Sequence, residues 1–282
     1  MKRLALLLAL LATPAHAFES TKMRAAVQAE EAALSARVGM AVRIGGDLAF
    51  AWRGDERFAL VSTHKAFSCA ALLAKAEKGE TSLQRRVVVV VTDLVPYSPV
   101  VEKNTAPASM SLAEHCAAAL GYSDNTAGNV VIGALGGPEG VTALFRALGD
   151  ETSRLDRVEP DLNEATPGDP RDTTTPAAAA SDLDKLLLGA ALTPTSREKL
   201  RTWMREDRVA DALLRKTIPD TWAIADKSGS GGHGSRGIVA ALWPPGRDAI
   251  IVAIYMADTA APLDARNGAI ARLGAALIEA LN

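Results

Sequence analysis

Two side chains three residues apart, Ser62 and Lys65, offer the first candidate for covalent chemistry in this sequence. In a helix this spacing places both on one face, where a neutral lysine can take the proton of the serine hydroxyl. Free backbone N–H groups in the first turn of such a helix also favour developing negative charge. The pair alone does not establish a catalytic site, because a helix-capping serine beside a solvated lysine is the commoner arrangement.

The triplet Ser123, Asp124 and Asn125 supplies a second set of polar groups, between two stretches of helical pattern. All three residue types are also good helix caps, so an ordinary cap is the alternative interpretation. Taken by itself, the triplet does not distinguish a functional site from the start of a helix.

Lys227 and Ser228 precede a glycine on a predicted strand near the end of the chain. The glycine allows a ligand to approach the backbone, while the ammonium and hydroxyl groups can hold an anion. Arg236 follows a glycine-rich turn, so a hairpin places it on the neighbouring antiparallel strand near Lys227. The alternative is a basic edge strand that resists pairing with other chains.

Residues 154–175 have little helix or strand signal, and a long loop of this kind in a compact domain is usually functional or disordered. The carboxylate of Glu159 and the amide of Asn163 can hold a water molecule between them. The opposite charges of Arg157 and Asp172 can tie the two ends of the loop together. A solvated acidic loop is the alternative.

The elements around these residues predict an α/β fold. Hydrophobic periodicity predicts a helix over 20–36 and a hairpin over 38–44 and 48–52 at one end of the chain. At the other end it predicts strands over 222–230, 237–243 and 249–256, then a helix over 263–281. Because a hairpin alone is marginal in water, we expect strands from both termini to form one antiparallel sheet flanked by helices.

The middle of the chain, from 62 to about 203, is dominated by helical pattern. We therefore expect an α/β domain made of residues 18–58 and 213–282, interrupted by an all-helical domain of residues 59–212 that carries the 154–175 loop. A ligand site belongs where two such domains meet.

The start of the chain has the layout of a secretory signal peptide: a basic segment at 1–3, an apolar run over 4–12 and small residues at 15–17. We expect cleavage after Ala17. The apolar run is about half of the roughly 20 residues needed to cross a bilayer, and no later stretch is long and uncharged enough. We expect a secreted protein of the bacterial periplasm with no membrane link, and an uncleaved amino-terminal anchor is the alternative.

Composition bounds the remaining function classes. The chain has 282 residues, of which 48% are hydrophobic, enough to fill a core without a partner. The chain has 31 basic and 33 acidic residues. Removal of the leader takes away Lys2 and Arg3 and leaves a net charge of about −4. Because there is also no basic block, nucleic acid is excluded as a partner.

Cysteines and histidines carry two more predictions. Export makes a single disulfide between the two cysteines plausible, with two separate buried thiols as the alternative. The four histidines lie far apart and none forms a ligand-spaced pair, so we expect no metal. These residues are Cys69 and Cys116, and His16, His64, His115 and His233.

Taken in order, the motifs resemble the class A β-lactamase family, whose signature is Ser-x-x-Lys, Ser-Asp-Asn and Lys-Thr-Gly. The similarity runs from about 58 to 277 and includes the segments 93–99, 159–163, 171–174 and 226–229. Cys69 and Cys116 also stand where many members carry a disulfide. The resemblance implies a cofactor-free hydrolase that opens β-lactam antibiotics through an acyl-enzyme and thereby gives resistance.

The resemblance also implies roles in acylation. Ser62 attacks the lactam carbonyl, the backbone N–H groups of Ser62 and Ser230 form the oxyanion hole, and Ser123 passes a proton to the lactam nitrogen. Either Lys65 or Glu159, the latter through a water, takes the proton of Ser62, and the family leaves this choice open.

Further roles implied by the resemblance concern the substrate and the second step. Tyr97 is a wall of the pocket, Asn125 binds the amide side chain, and Glu159 with Asn163 activates the water for deacylation. The substrate carboxylate is held by Lys227, Ser228 and Arg236. The likeness also predicts a cis peptide bond between Glu159 and Pro160.

The sequence departs from the family pattern at two positions. Ser228 replaces the commoner threonine and keeps the hydroxyl, whereas His64 replaces phenylalanine and alters packing beneath the nucleophile.

Two other functions are the alternatives. A D-alanyl-D-alanine peptidase shares much of the chemistry, but the Glu159 loop argues against it. A penicillin-binding sensor that stays acylated needs a membrane link, and the lack of a later apolar span argues against it. We expect a monomer that acts on small β-lactam molecules.

Overall fold

The structure is a computed structural model that describes residues 18–281, so the predicted leader lies outside the described residues. Its strands are β1 (Arg37–Ile44), β2 (Asp47–Trp52), β3 (Phe58–Ala59), β4 (Arg86–Val87), β5 (Met110–Ser111), β6 (Thr173–Thr174), β7 (Ala223–Ser230), β8 (Arg236–Trp243) and β9 (Ile250–Ala257). Its helices are α1 (Ser20–Leu34), α2 (His64–Glu77), α3 (Leu112–Gly121), α4 (Asn125–Leu135), α5 (Pro138–Ala147), α6 (Pro176–Leu187), α7 (Pro194–Arg205) and α8 (Leu263–Ala280).

One five-stranded antiparallel sheet is made from the two ends of the described chain, in the order β2-β1-β9-β8-β7. The first hairpin turns at Gly45 and Gly46, which both have positive φ, as a tight turn requires. Strand β1 joins the carboxy-terminal strands through eight residue pairs with β9, from Arg37 opposite Ala257 to Ile44 opposite Ile250. The predicted antiparallel sheet with strands from both termini is confirmed.

The two faces of the sheet carry side chains of different size, because alternate residues of a strand point to opposite faces. Bulky residues such as Met40, Ile238 and Ile254 pack with α1 and α8 in one core. Small residues such as Ala41 and Ala253 belong to the second core, which includes the helices of the middle region. Small side chains on this face allow α6 to lie close against β1, β8 and β9.

Helix α2 is the central element of the helical region. All of its residues from His64 to Leu73 are buried, as expected of a helix surrounded by neighbours rather than lying at a surface. It packs against α3, α4, α5 and α7. The predicted disulfide is confirmed, since Cys69 and Cys116 join α2 to α3 with their Cα atoms 5.7 Å apart. The nucleophile motif therefore stands at the end of a rigid core helix.

The loop from 154 to 175 is ordered by its own contacts. It contains a 3₁₀ turn, Asp161–Asn163, and its end pairs as β6 with β3. The predicted tie between its ends is confirmed: Arg157 Nε lies 2.5 Å from Asp172 Oδ2, and Asp172 Oδ1 accepts from the backbone N–H groups of Asp156 and Arg157. The Glu159–Pro160 peptide bond is cis, as predicted.

Among the helices formed by residues 18–281, none combines the length and apolar character that a membrane crossing requires.

Candidate active site

Ser62 lies in a 3₁₀ turn, Val61–Thr63, immediately before α2. Strand β7 passes beside this turn at Gly229, where a Cβ atom would come within 2.5 Å of a Val61 methyl group and 2.7 Å of the Ser62 nitrogen. Only glycine permits this approach. Val61 has φ of 42°, an unfavourable conformation for a β-branched residue and one that clusters at functional sites. The packing of β7 against the turn thus holds the hydroxyl in place.

The ammonium group of Lys65 is fully buried at the centre of the site. Its Nζ lies 2.9 Å from Ser62 Oγ, 2.9 Å from Glu159 Oε1 and 2.6 Å from Asn125 Oδ1. It also donates to the backbone oxygen of Ser123 at 2.9 Å and lies 3.4 Å from the Ser123 hydroxyl. Burial lowers the pKa of Lys65, although the nearby Glu159 charge opposes this. Lysine is therefore easier to deprotonate here than in water.

Glu159 approaches the nucleophile from the 154–175 loop. Its Oε1 lies 3.4 Å from Ser62 Oγ, and its Oε2 accepts a hydrogen bond from Asn163 Nδ2. Burial alone raises the pKa of this carboxyl, but the Lys65 charge and a hydrogen bond from His64 outweigh it and lower the pKa to about 2. Glu159 is therefore an ionised base at neutral pH.

The backbone of Glu159 is fixed by a residue that sequence reasoning missed. Asn129 Nδ2 donates to the Glu159 carbonyl oxygen at 2.8 Å, and Asn129 Oδ1 accepts from the Glu159 N–H at 2.8 Å. Asn129 stands four positions after Asn125 on α4, so helical spacing places both amides on one side of the helix. That spacing was a signal available in the sequence.

The Ser123-Asp124-Asn125 turn caps a helix and also brings two residues to Lys65. Asp124 is the cap of α4: its carboxylate accepts from Ala127 N at 2.8 Å and from the N–H groups of Val100 and Val101 at 2.9 and 3.0 Å. Ser123 has φ of 57°, which turns the backbone so that both it and Asn125 meet Lys65. The cap interpretation therefore holds for Asp124 and not for its two neighbours.

Tyr97 is placed at the rim of the site by the same turn. Its carbonyl oxygen accepts from Asn125 N at 3.0 Å, and the neighbouring Pro96 oxygen accepts from Asn125 Nδ2 at 2.9 Å. The Tyr97 side chain is 59% exposed, so its ring faces solvent beside the polar cluster.

The Lys227-Ser228-Gly229 motif on β7 supplies a second buried cation. Lys227 is fully buried, and burial lowers its pKa to about 8 against the opposing charge of Asp207, whose Oδ2 lies 3.9 Å from Nζ. The Lys65 charge also lowers the pKa of Lys227, which shows that the two ammonium groups act on each other. Ser228 is buried beside it, whereas Ser230 at the end of the strand is exposed. Asp207 has no local motif in the sequence.

Arg236 adds a third cation from β8. It stands opposite Ser230 rather than opposite Lys227, and its Nη1 donates to Gly229 O at 2.9 Å. Its Nε donates to Asn267 Oδ1 at 2.8 Å, a contact across the fold that nothing in the sequence announced. Burial lowers the pKa of Arg236 to about 10, and it remains charged at neutral pH.

Together these groups form a hydroxyl nucleophile with an ionised carboxylate base, a lysine whose pKa is lowered by burial, and a neighbouring region of positive charge. No cluster of three or more histidine, cysteine, aspartate or glutamate residues suited to a metal ion occurs among residues 18–281. Such an arrangement can carry out acyl transfer on a substrate with a negatively charged group.

Comparisons with known proteins agree with this chemistry. A sequence model of the β-lactamase enzyme family matches residues 22–281. β-Lactamase AER-1 of Aeromonas hydrophila is 52% identical over 267 residues, which cover 94% of this chain and 88% of the relative. This chain belongs to the class A β-lactamase family.

Solved class A structures place the whole described fold within this family. An ancestral class A β-lactamase superposes with a TM-score of 0.89 at 46% identity, covering 92% of this chain and 99% of that one. The chromosome-encoded β-lactamase of Vibrio parahaemolyticus gives a TM-score of 0.88 at 39% identity, covering 91% and 98% of the two chains. The family and fold predicted from the motifs are confirmed.

Proposed function

We propose that this class A β-lactamase hydrolyses the amide bond of β-lactam antibiotics through a covalent acyl-enzyme on Ser62, and so gives resistance to them. One observation carries the proposal: Ser62 Oγ lies 2.9 Å from Lys65 Nζ and 3.4 Å from Glu159 Oε1. A carboxylate base and a lysine of lowered pKa, from different elements, thus serve one hydroxyl. A two-step reaction needs such a pair, because one ester must be formed and then broken.

In the first step, Ser62 Oγ attacks the lactam carbonyl carbon and its proton passes to Lys65, or to Glu159 through a water. The backbone N–H groups of Ser62 and Ser230 stabilise the resulting oxyanion. The lactam C–N bond then breaks as Ser123 gives a proton to the nitrogen. The position of Lys65 Nζ between the hydroxyls of Ser62 and Ser123, at 2.9 and 3.4 Å, supports a relay through lysine.

Substrate binding uses the positive region. Lys227, Ser228 and Arg236 hold the substrate carboxylate. Lys227 and Arg236 are buried, so water screens their positive charges only weakly. Asn125 binds the amide side chain of the substrate, and Tyr97 forms one wall of the pocket.

In the second step, Glu159 removes a proton from a water that Asn163 also holds, and this water attacks the ester carbonyl. The ester bond to Ser62 Oγ breaks and the serine recovers its proton. The ionised state of Glu159 and its contact with Asn163 support this role. A base that is already ionised at neutral pH suits repeated turnover.

We also propose the two-part division predicted from the sequence, with an α/β domain of 18–58 and 213–282 and a helical domain of 59–212. The origin of the five sheet strands and the position of α2 through α7 between them support it. The layout of the first 17 residues supports export to the periplasm and cleavage after Ala17. We also propose that the protein acts there as a monomer.

Hydrolysis of a chromogenic cephalosporin by the purified mature protein tests the proposed function, with intact-mass measurement on the same mixture. The parent is expected to turn over many equivalents. Glu159→Gln is expected to release one equivalent and keep an acyl adduct, with deacylation slowed about a thousandfold. The matched control is Glu164→Gln, an exposed carboxylate on the same loop, which is expected to retain turnover.

Each other outcome contradicts a definite part of the proposal. A stable adduct on the parent indicates a penicillin-binding sensor or peptidase instead. The absence of any adduct in both proteins shows that Ser62 is not the nucleophile.

A further inference from the structure

His64, the first residue of α2 and part of the Ser62-x-x-Lys65 motif, lies against the deacylating carboxylate. Its ring is fully buried. Nε2 lies 3.3 Å from Glu159 Oε1, and Nδ1 lies 3.0 Å from Ser68 Oγ, one helical turn further along α2. The imidazole therefore uses both of its nitrogen atoms, one on each side.

The chemistry of the two partners determines the tautomer. A carboxylate can only accept hydrogen bonds, so the nitrogen that faces Glu159 must carry the proton. Nδ1 is then unprotonated in the neutral ring, and the Ser68 hydroxyl, 3.0 Å away, can donate to it. Ser68 thus keeps His64 in the Nε2–H form, which directs a fixed donor at Glu159 Oε1.

We propose that His64 is a positioning residue for deacylation: its Nε2–H holds the Glu159 carboxylate ionised and aimed at the acylated serine, and so extends turnover to lower pH. This inference rests on the proposed function. Glu159 Oε1 is then shared by Lys65 at 2.9 Å, His64 at 3.3 Å and the Ser62 hydroxyl at 3.4 Å. Neither side chain is exposed, so bulk solvent does not supply this donor in place of the imidazole.

Burial, and not the sum of the charges around the ring, favours its neutral form. The charged groups that act on it are Glu159 from the loop, Lys65 from its own helix and Asp172 from the far end of the loop. Burial lowers the pKa of His64 more than Glu159 raises it. His64 therefore acts through its hydrogen bond and not by carrying a charge.

The consequence appears on the acid side of the pH profile. A hydrogen bond to the ionised form lowers the pKa of a carboxyl, so removal of the donor raises the pKa of Glu159. Phenylalanine at 64 removes the donor and leaves an apolar ring against the carboxylate. Glutamine can place an amide N–H close to the position of Nε2, and so retains the donor.

The test compares the parent with His64→Phe and His64→Gln by rapid-mixing kinetics with benzylpenicillin, resolving acylation and deacylation between pH 2 and 8. In His64→Phe the acid limb of the deacylation rate, which the pKa of Glu159 places near pH 2 in the parent, is expected to move up by about one pH unit, a loss of about fivefold at pH 2. At pH 7 the change is expected to stay within about threefold. His64→Gln is expected to keep the limb of the parent. His233→Asn, at an exposed histidine, is the control.

A limb that stays in place in His64→Phe overturns the inference, as does a shift of equal size in His64→Gln. A uniform loss of acylation and deacylation at all pH values, together with a lower melting temperature, indicates a purely structural role and also overturns it. If the parent itself does not deacylate, the proposed function fails, and that result is distinguishable because it is independent of residue 64.

Discussion

Two buried carboxyl groups, Glu159 in the active-site loop and Asp182 on α6, respond in opposite ways to the same loss of water. Both are almost fully buried. Burial raises the pKa of each, but Lys65 and His64 bring that of Glu159 down to about 2, whereas the neighbouring Asp150 helps to bring that of Asp182 up to about 8. The loop region therefore contains a carboxylate, and the α6 region contains a protonated acid.

The difference shows that burial alone does not determine charge. Neither Asp182 oxygen has a hydrogen-bond donor among the described residues, and Lys185 Nζ is 4.0 Å away on a half-exposed side chain. A proton on Asp182 makes it a donor toward Asp150, which satisfies both acids. Of these two acids, the one that stays ionised is the one to which the fold supplies a buried cation and donors, and it lies in the active site.

The largest expected effect comes from removing the compensating cation. Lys65→Met takes the ammonium away from both Ser62 and Glu159, so acylation by a chromogenic cephalosporin should slow by about a thousandfold. The pKa of Glu159 should also rise, since burial is then less opposed. Rapid-mixing kinetics measures the first effect. Lys75→Met, on the same helix but bonded to the Leu135 carbonyl, is the control; equal loss in both variants would contradict the prediction.

The next effect concerns the tie that closes the active-site loop. Asp172→Asn leaves the Arg157 guanidinium without its buried carboxylate, and the free energy of unfolding should fall by about 3 kcal/mol. Urea denaturation measures this. The control is Glu164→Gln, which removes the exposed partner of the same arginine and should cost less than about 1 kcal/mol. Comparable losses would show that burial of the pair is unimportant.

A smaller effect of opposite sign is expected at the protonated acid. The folded protein holds a proton on Asp182 up to about pH 8, whereas an unfolded aspartate ionises near 3.8, so the stability from this group is lost as pH rises between those values. Asp182→Asn should therefore be more stable than the parent by about 2 kcal/mol at pH 8 and by less at pH 5. Urea titrations at both pH values test it. Asp55→Asn, at an exposed site, should show no such pH dependence.

The smallest effect is expected where water still compensates the charge. Lys22 and Glu19 form an ion pair at 3.0 Å on α1, with both side chains about half exposed. Lys22→Ala should change the free energy of unfolding by less than about 0.5 kcal/mol. A loss of more than 1 kcal/mol in thermal or urea unfolding would contradict the view that only buried charges depend strongly on their partners.

Much of the fold was predictable because it depends on local patterns. Alternation placed the five long strands within one or two residues of their observed bounds, and helical periodicity located α1 and α8. The arginine and aspartate that close the loop were visible as opposite charges at its two ends. The neighbouring strand of Arg236 was predicted, but its exact partner on the sheet, Ser230, was not.

The partners of the supporting side chains were not predictable, because each contact joins distant parts of the chain; helical spacing could place Asn129 on the side of Asn125 but could not name Glu159. Asn129 holds the backbone of Glu159, Asn267 holds Arg236, and Asp207 faces Lys227. None of the three stands in a motif that names its partner. His64 was visible as an unusual residue, but only the structure showed that its ring reaches Glu159.

By itself, the sequence determined the order of the strands and helices, the family and the residue types available for chemistry, since these follow from periodicity and from motifs of adjacent residues. The tertiary structure alone decided which of those groups are charged. A pKa depends on desolvation and on the nearest charges, and both arise only when separate segments pack together. Glu159 and Asp182 are both acids in the sequence, and the packing around them makes one a carboxylate and keeps the other protonated.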